Sequence, residues 1–388
     1  MNPSRLFLAS CLALITTAMS FAIRGDIMDP LSAQFSLSKE QLGWVASTAF
    51  WGFTLAMMIG GPLCDVIGMR RILIIAFIGH LAGILTTIFA QGFWSLFTGT
   101  LLIGIANGSV EAACNPLVAT LYPNEKTTRL NRFHVWFPGG IVIGGLVAFA
   151  LTSAQMGWQV KMATMLIPLA IYGFLFIGQK FPETERVASG VSTGDMFIAC
   201  FRPMFLIIAL CMIMTACSEL GPNQWIPSIL TASAGVSGIL VLVWINGIMA
   251  VGRQFAGPVV HKLSPTGMLL FSAVFTAIGL YLLSIASGWA TFAAATVFAV
   301  GVCYFWPTML GFTAERVPKS GALGLAIIGG IGMLAVNFIL PAMGHVYDTQ
   351  GGSAALRVVG VLPIILIVIF GALFFADKAK GGYKAEKI

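Results

Sequence analysis

Glu111 stands inside an apolar stretch, 94–121, that is long enough to cross a bilayer. A carboxylate there is costly to bury and by default marks an ion or substrate pathway. On a helix Asn107, Glu111 and Cys114 share one face, by i, i+4 and i+7 spacing. Pro116 frees the carbonyl four residues back, next to the carboxylate, and Asn115 adds an amide. The chemistry such a cluster offers is loading a proton on one side of a membrane and releasing it on the other. A second reading stays open, in which Glu111 is permanently paired with Arg24, a cation about 20 residues into the first apolar run. Arg24 itself reads three ways: snorkelling to the outer interface, counter-ion to Glu111 or Asp26, or direct ligand of an anionic substrate.

These residues need membrane-spanning elements to hold them, and the composition supplies them. The chain has 388 residues, 58% hydrophobic and 9% charged, with mean hydropathy +0.94. A soluble domain carries about a quarter charged residues. A helical span takes about 20 mostly apolar residues. About twelve such stretches are present: 5–27, 41–63, 71–90, 94–121, 133–154, 160–179, 203–227, 237–258, 266–286, 289–312, 321–344 and 356–376. A barrel would show alternating segments of about ten residues, and these runs are solid. The fold class is all-α membrane protein, with twelve helices.

The net charge of +7 is no nucleic-acid footprint, because the basic residues sort by side. Arg5, Arg70, Arg71, Lys126, Arg129, Arg132, Lys180, Arg186, Arg202, Lys262, Arg316, Lys319 and lysines 378, 380, 384 and 387 fall at one set of loops. The opposite loops hold little beyond Lys39, Lys161 and Arg357. By the positive-inside rule both termini and the central loop are cytoplasmic. Reading the first 22 residues as a cleaved signal would spoil this alternation, so they are read as a span. The seven cysteines show no metal-like spacing and read as small packing residues. No cofactor or metal is expected, and the pattern G-x-x-x-x-G-K-[ST] is absent, so energy must come from gradients.

The chain resembles itself about 196 residues on. Gly61-Pro62 maps to Gly257-Pro258, Asp65 falls opposite His261, and Gly25 maps to Gly221. Two related six-helix bundles follow, at 1–179 and 203–376, with a polar linker at 180–202 and a basic tail at 377–388. Duplicated bundles usually bind substrate at the midplane and alternate access by rocking.

Gly61, Asp65, Gly68, Arg70 and Arg71 form G-x-x-x-D-x-x-G-x-R-R between the second and third spans. This resembles the signature of the major facilitator superfamily. Physically it is a tight turn in which Gly68 allows the bend and Asp65 pairs with arginines or a helix N-terminus to latch one conformation. The second-half copy, His261-Lys262, lacks the acid. Glu111 to Asn115-Pro116, then Tyr122-Pro123, then Leu130-Asn131 and His134, resembles the fucose–proton symporter family, as does Ala216-Cys217-Ser218-Glu219 in span 7. That resemblance implies proton coupling through Glu111, Asp26 and Glu219, and import of a small polar solute such as a sugar. Arg24 departs from that pattern, and Phe137 replaces its span-5 asparagine. Arg24 followed by Ala49-Phe50-Trp51-Gly52-Phe53 resembles the anion–cation symporter family, which implies an organic-anion or sugar-acid substrate.

Further candidates for substrate contact are Asn107, Asn115, His134, and Asn223, Gln224 and Trp225 around a proline break, whose amides and indole suit polyols. Tyr304 and Trp306 form an aromatic break in span 10. A packing kink stays open for Tyr304 and Trp306, a structural helix-start role for His134, and an outer-interface anchor for the span-7 group. His80 reads as packing, and Arg253 as part of a gate. Expected partners are the solute, protons (sodium staying open) and the lipid bilayer, with no nucleic acid. The protein is expected to be a monomeric multi-pass transporter of a bacterial inner membrane, not an enzyme.

Overall fold

A computed structural model describes residues 2–37, 39–184, 192–236 and 238–386. Every regular element among them is helical. In hydrocarbon each backbone polar group must be satisfied within the protein, and helices achieve this within one segment. The helices in chain order are α1 (Pro3–Phe35), α2 (Lys39–Ile67), α3 (Met69–Ile88), α4 (Phe93–Leu121), α5 (Lys126–His134), α6 (Trp136–Ser153), α7 (Trp158–Ala163) and α8 (Leu166–Phe176). They continue as α9 (Thr193–Cys200), α10 (Pro203–Ser233), α11 (Gly238–Gln254), α12 (Ala256–Leu283), α13 (Ala290–Val302), α14 (Phe305–Arg316), α15 (Gly321–Gln350), α16 (Gly352–Val359) and α17 (Val361–Ala379). Among the described residues eleven helical segments are long and apolar enough to cross a membrane, and Leu240–Gln254 is a shorter apolar twelfth.

The residues group into two compact units. The first holds 1–123, 136–196 and 321–330; the second holds 124–135, 197–320 and 331–388. Segment 124–135 therefore packs with the second unit, away from the half to which its place in the chain assigns it. The helix there starts earlier than hydropathy alone suggests. Within it the Asn131 amide nitrogen donates to the Thr127 carbonyl at 2.9 Å and contacts Thr308 Oγ1 at 3.4 Å, while Asn131 Oδ1 and Arg132 Nε have no hydrogen-bond partner among the described residues.

Two close helix contacts position the first unit. A Cβ at Gly140 would lie 2.6 Å from Ala18 Cβ, and one at Gly144 would lie 3.1 Å from Ala22 Cβ. The missing side chains let α6 lie directly on α1. A Cβ at Gly108 would lie 2.3 Å from the Phe53 carbonyl oxygen, so α4 meets α2 backbone to side-chain-free backbone. In the second unit Ser264, at φ 61°, breaks α12 before Pro265, which cannot continue the preceding ladder. Residues 185–191 of the linker lie outside the described residues, and α9 occupies its end.

Candidate functional site

In the first unit, Phe21 and Arg24 are one helical turn apart on α1 and share a face. The Arg24 guanidinium stands 4.9 Å from the Phe21 ring centre and 5.8 Å from that of Phe50 on α2. Phe21 packs edge-on against Phe50 at 5.6 Å and lies 5.7 Å from Phe137 on α6. The close α1–α6 approach at Gly140 and Gly144 brings Phe137 within reach. Arg24 is half-buried and makes no ion pair among the described residues. Its charge is held by aromatic faces, an interaction of about 0.5–2 kcal/mol, which leaves the planar donor fork open to a carboxylate.

Arg24 is not the fixed partner of Glu111. Glu111 is buried on α4, and its Oε2 accepts a 2.7 Å bond from Asn115 Nδ2 one turn on. Nor does Arg24 pair with Asp26. Lys161 Nζ lies 2.5 Å from Asp26 Oδ2 and donates also to Thr152 Oγ1 at 2.7 Å. In the sequence Lys161 shows only as part of the sparse charge of the outer loops. Its partner lies 135 residues away, so spacing carried no signal.

Asn107 belongs to a buried chain of polar groups. Its Nδ2 donates to Ser20 Oγ at 3.0 Å, and its Oδ1 faces His80 Nε2 at 2.8 Å. His80 Nδ1 in turn meets the Tyr172 hydroxyl at 3.0 Å. The directions are mutually fixed. An amide oxygen accepts, so Nε2 carries the proton, and Nδ1 accepts from Tyr172. His80 therefore ties α3, α4 and α8 together, and Asn107 is committed to that network. His80→Leu would leave Tyr172 and Asn107 with unmet buried bonds at about 1–3 kcal/mol each. A thermal melt should show clear destabilisation, with His80→Gln milder.

In the second unit, Glu219 on α10 pairs with Arg253 on α11: Nη2 to Oε1 is 2.9 Å, and both side chains are almost wholly buried. Arg253 also donates from Nε to the Cys303 carbonyl at 2.6 Å and from Nη1 to the His134 carbonyl at 3.0 Å. Among the described residues Glu219 Oε2 has no side-chain hydrogen-bond partner. Arg253 is thus the keystone of this cluster, more than the gate residue its place in the span suggests. Its signal was the same as that of Glu111, a charge within an apolar span. His134 enters through its backbone carbonyl, and its buried ring meets Phe133 edge-on. The Tyr304 hydroxyl donates to the Gly252 carbonyl at 3.1 Å, and Trp306 is buried against Gly332. Trp225 donates its indole N–H to the Leu340 carbonyl at 3.1 Å and packs on Tyr347. Asn223 is buried, and its Oδ1 has no partner among the described residues. The side chains of Gln224 and His261 lie outside the described residues.

At the signature turn Gly61 is buried and Gly68 adopts φ 85°, the left-handed region that glycine enters without strain. Asp65 accepts from the Thr184 hydroxyl. Arg70 and Arg71 are exposed and make no ion pair among the described residues. In the second unit an acid arrives from elsewhere. Asp377 pairs with Arg316 and accepts from Thr266, while Tyr383 of the tail donates to Glu315 at 2.9 Å. Burial pushes the Tyr383 phenol well above its usual range, with the Glu315 carboxylate adding to the shift.

A family model described as Major Facilitator Superfamily matches residues 6–266. The cis,cis-muconate transport protein of Acinetobacter baylyi is 26% identical and covers 71% of this chain and 71% of its own length. The gentisate transporter of Corynebacterium glutamicum is 21% identical over 80% of this chain and 74% of its own. The D-xylose transporter of Levilactobacillus brevis is 29% identical over 40% of this chain and 34% of its own. Among solved structures, the fucose:proton symporter of E. coli superposes with TM-score 0.78 at 15% identity, covering 95% of this chain and 98% of that one, a likeness of fold. With its apolar helices, its signature turn and the family model matching residues 6–266, the chain belongs to the Major Facilitator Superfamily and is a multi-pass membrane transporter, not an enzyme.

Proposed function

We propose that the protein imports a small organic carboxylate with a ring or conjugated system, coupled to protons, across a bacterial inner membrane with both termini on the cytoplasmic side. The observation that carries this is Arg24: a half-buried guanidinium with no carboxylate partner among the described residues, set among Phe21, Phe50 and Phe137. A carboxylate would take the guanidinium fork, and a flat ring would pack beside the phenyl groups. The muconate and gentisate names of two relatives that cover most of their own length support the same class. This moves the substrate from the neutral sugar that the sequence favours to its organic-anion alternative. A neutral polyol remains a second reading, through the unpartnered Asn223 Oδ1 and the shorter D-xylose match.

Glu111 is the proton carrier in this account. It is buried, bonded by Asn115, and not neutralised by Arg24. Proteoliposomes with an inward proton gradient should accumulate the carboxylate, and gradient-independent uptake would remove the coupling. Glu111→Gln should abolish accumulation while leaving exchange of labelled for unlabelled substrate. Unchanged accumulation would take Glu111 out of this role.

A further inference from the structure

A cavity of about 450 Å³ opens between α3 and α8 in the first unit. Ile74 and Phe77 line it from α3, Phe174 and Ile177 from the end of α8, and Phe181 from the chain beyond. Phe181 is held there by Phe176, ring centres 5.5 Å apart. Ile74, Phe174 and Ile177 are 49%, 68% and 67% exposed, so the groove opens outward and not into the unit's core. Tyr172 reaches its floor, but its hydroxyl is already bonded to His80. The groove therefore offers an apolar guest almost no polar contact of its own.

Arg70 is the exception. It is the only charged residue in the lining, it is exposed, and it makes no ion pair or hydrogen bond among the described residues. Its place in the first turn of α3 adds the positive end of that helix. Phe77 lies seven residues further in, roughly 10 Å at 1.5 Å per residue. A free cation thus stands at one end of an apolar slot that runs along a membrane-spanning helix. Arg71 beside it, and Lys180 next to Phe181, carry the same sign.

We propose that this groove is a binding site for an anionic diacyl phospholipid, with one acyl chain in the slot and the phosphate on Arg70. A guanidinium matches phosphate geometry and is less strongly hydrated than an ammonium. Basic pockets between spanning helices on the positive side are where anionic headgroups collect. Aromatic and branched side chains in the slot replace the lipid contacts an acyl chain would otherwise make, so the phosphate contact decides selectivity. The site joins the signature turn to the annular lipid and is separate from Arg24 and Glu111.

The test is native mass spectrometry of the purified full chain titrated with phosphatidylglycerol or phosphatidylcholine of equal chain length. One phosphatidylglycerol should be retained at about tenfold lower concentration than phosphatidylcholine. Arg70→Gln should remove that preference, Arg71→Gln should keep it, and Ala170→Trp, which fills the slot, should lower retention of both lipids. Equal retention of the two lipids by the wild type, or equal loss in Arg70→Gln and Arg71→Gln, would overturn the proposal as mere surface charge. Should Ala170→Trp fail to fold, phosphatidylglycerol with a photoreactive acyl chain decides on the wild type. Crosslinks should fall on peptides carrying Phe77 or Phe174, and crosslinks confined elsewhere overturn it.

Discussion

Arg24→Gln is expected to lower carboxylate uptake by roughly 30- to 1000-fold, the equivalent of about 2–4 kcal/mol for truncating one side of a desolvated charge contact. Among the described residues the side chain pairs with no carboxylate that would be left stranded, so the fold should survive. Loss of the contacts to Phe21 and Phe50 removes only about 0.5–2 kcal/mol. Arg24→Lys should recover part of the activity, since it keeps the charge but not the planar fork. Proteoliposome uptake of the carboxylate and of its uncharged amide reads the effect. The variant should penalise the charged compound far more. Equal loss of both would return Arg24 to a structural role.

Arg253→Met should be the most destabilising substitution in the second unit. Removing one partner of a buried pair costs about 3–5 kcal/mol, because Glu219 would remain buried with its charge uncompensated. Two carbonyls, of Cys303 and His134, would lose their donor as well. A fall in Tm on the order of ten degrees follows. Glu219→Gln should cost less, since an amide still accepts from Arg253. The double variant Glu219→Gln/Arg253→Met should be more stable than the sum of the single losses implies, because neither charge is then stranded. A thermal melt series checks this, and strictly additive losses would show that the pair is not coupled.

Much of the fold was legible because a bilayer leaves few options. Apolar runs of span length, basic residues sorted to alternate loops and the turn at Gly68 identify the family without any knowledge of contacts. The expensive charges were legible one at a time: Arg24, Glu111, Glu219 and Arg253 each interrupt an apolar span. Their pairing was not. Asp26 meets Lys161 across 135 residues, and Glu219 meets Arg253 across 34 on another helix. Nothing in local spacing distinguishes these pairs from Arg24–Glu111, which the structure does not make. Phe137 stands out in the sequence only as the replacement of a span-5 asparagine, and Phe21 reads as an ordinary apolar residue until α6 closes on α1 at Gly140 and Gly144. His80 read as packing because a lone histidine in a span does not announce Tyr172 and Asn107 at its two nitrogens. The arginines at 70 and 71 read as latch residues from motif spacing; both stand without an ion pair among the described residues, and Asp65 accepts from the Thr184 hydroxyl, 119 residues on, which no motif announces.

The most direct test of the Arg24 account is a thermal-shift panel on purified wild-type protein and Arg24→Gln. The panel sets an aromatic carboxylate, such as gentisate, against the amide of the same ring and against D-xylose. The wild type should be stabilised by the carboxylate alone, and Arg24→Gln by none of the three. Stabilisation by D-xylose with no response to the carboxylate, or an Arg24→Gln response equal to that of the wild type, would contradict an anion site at Arg24.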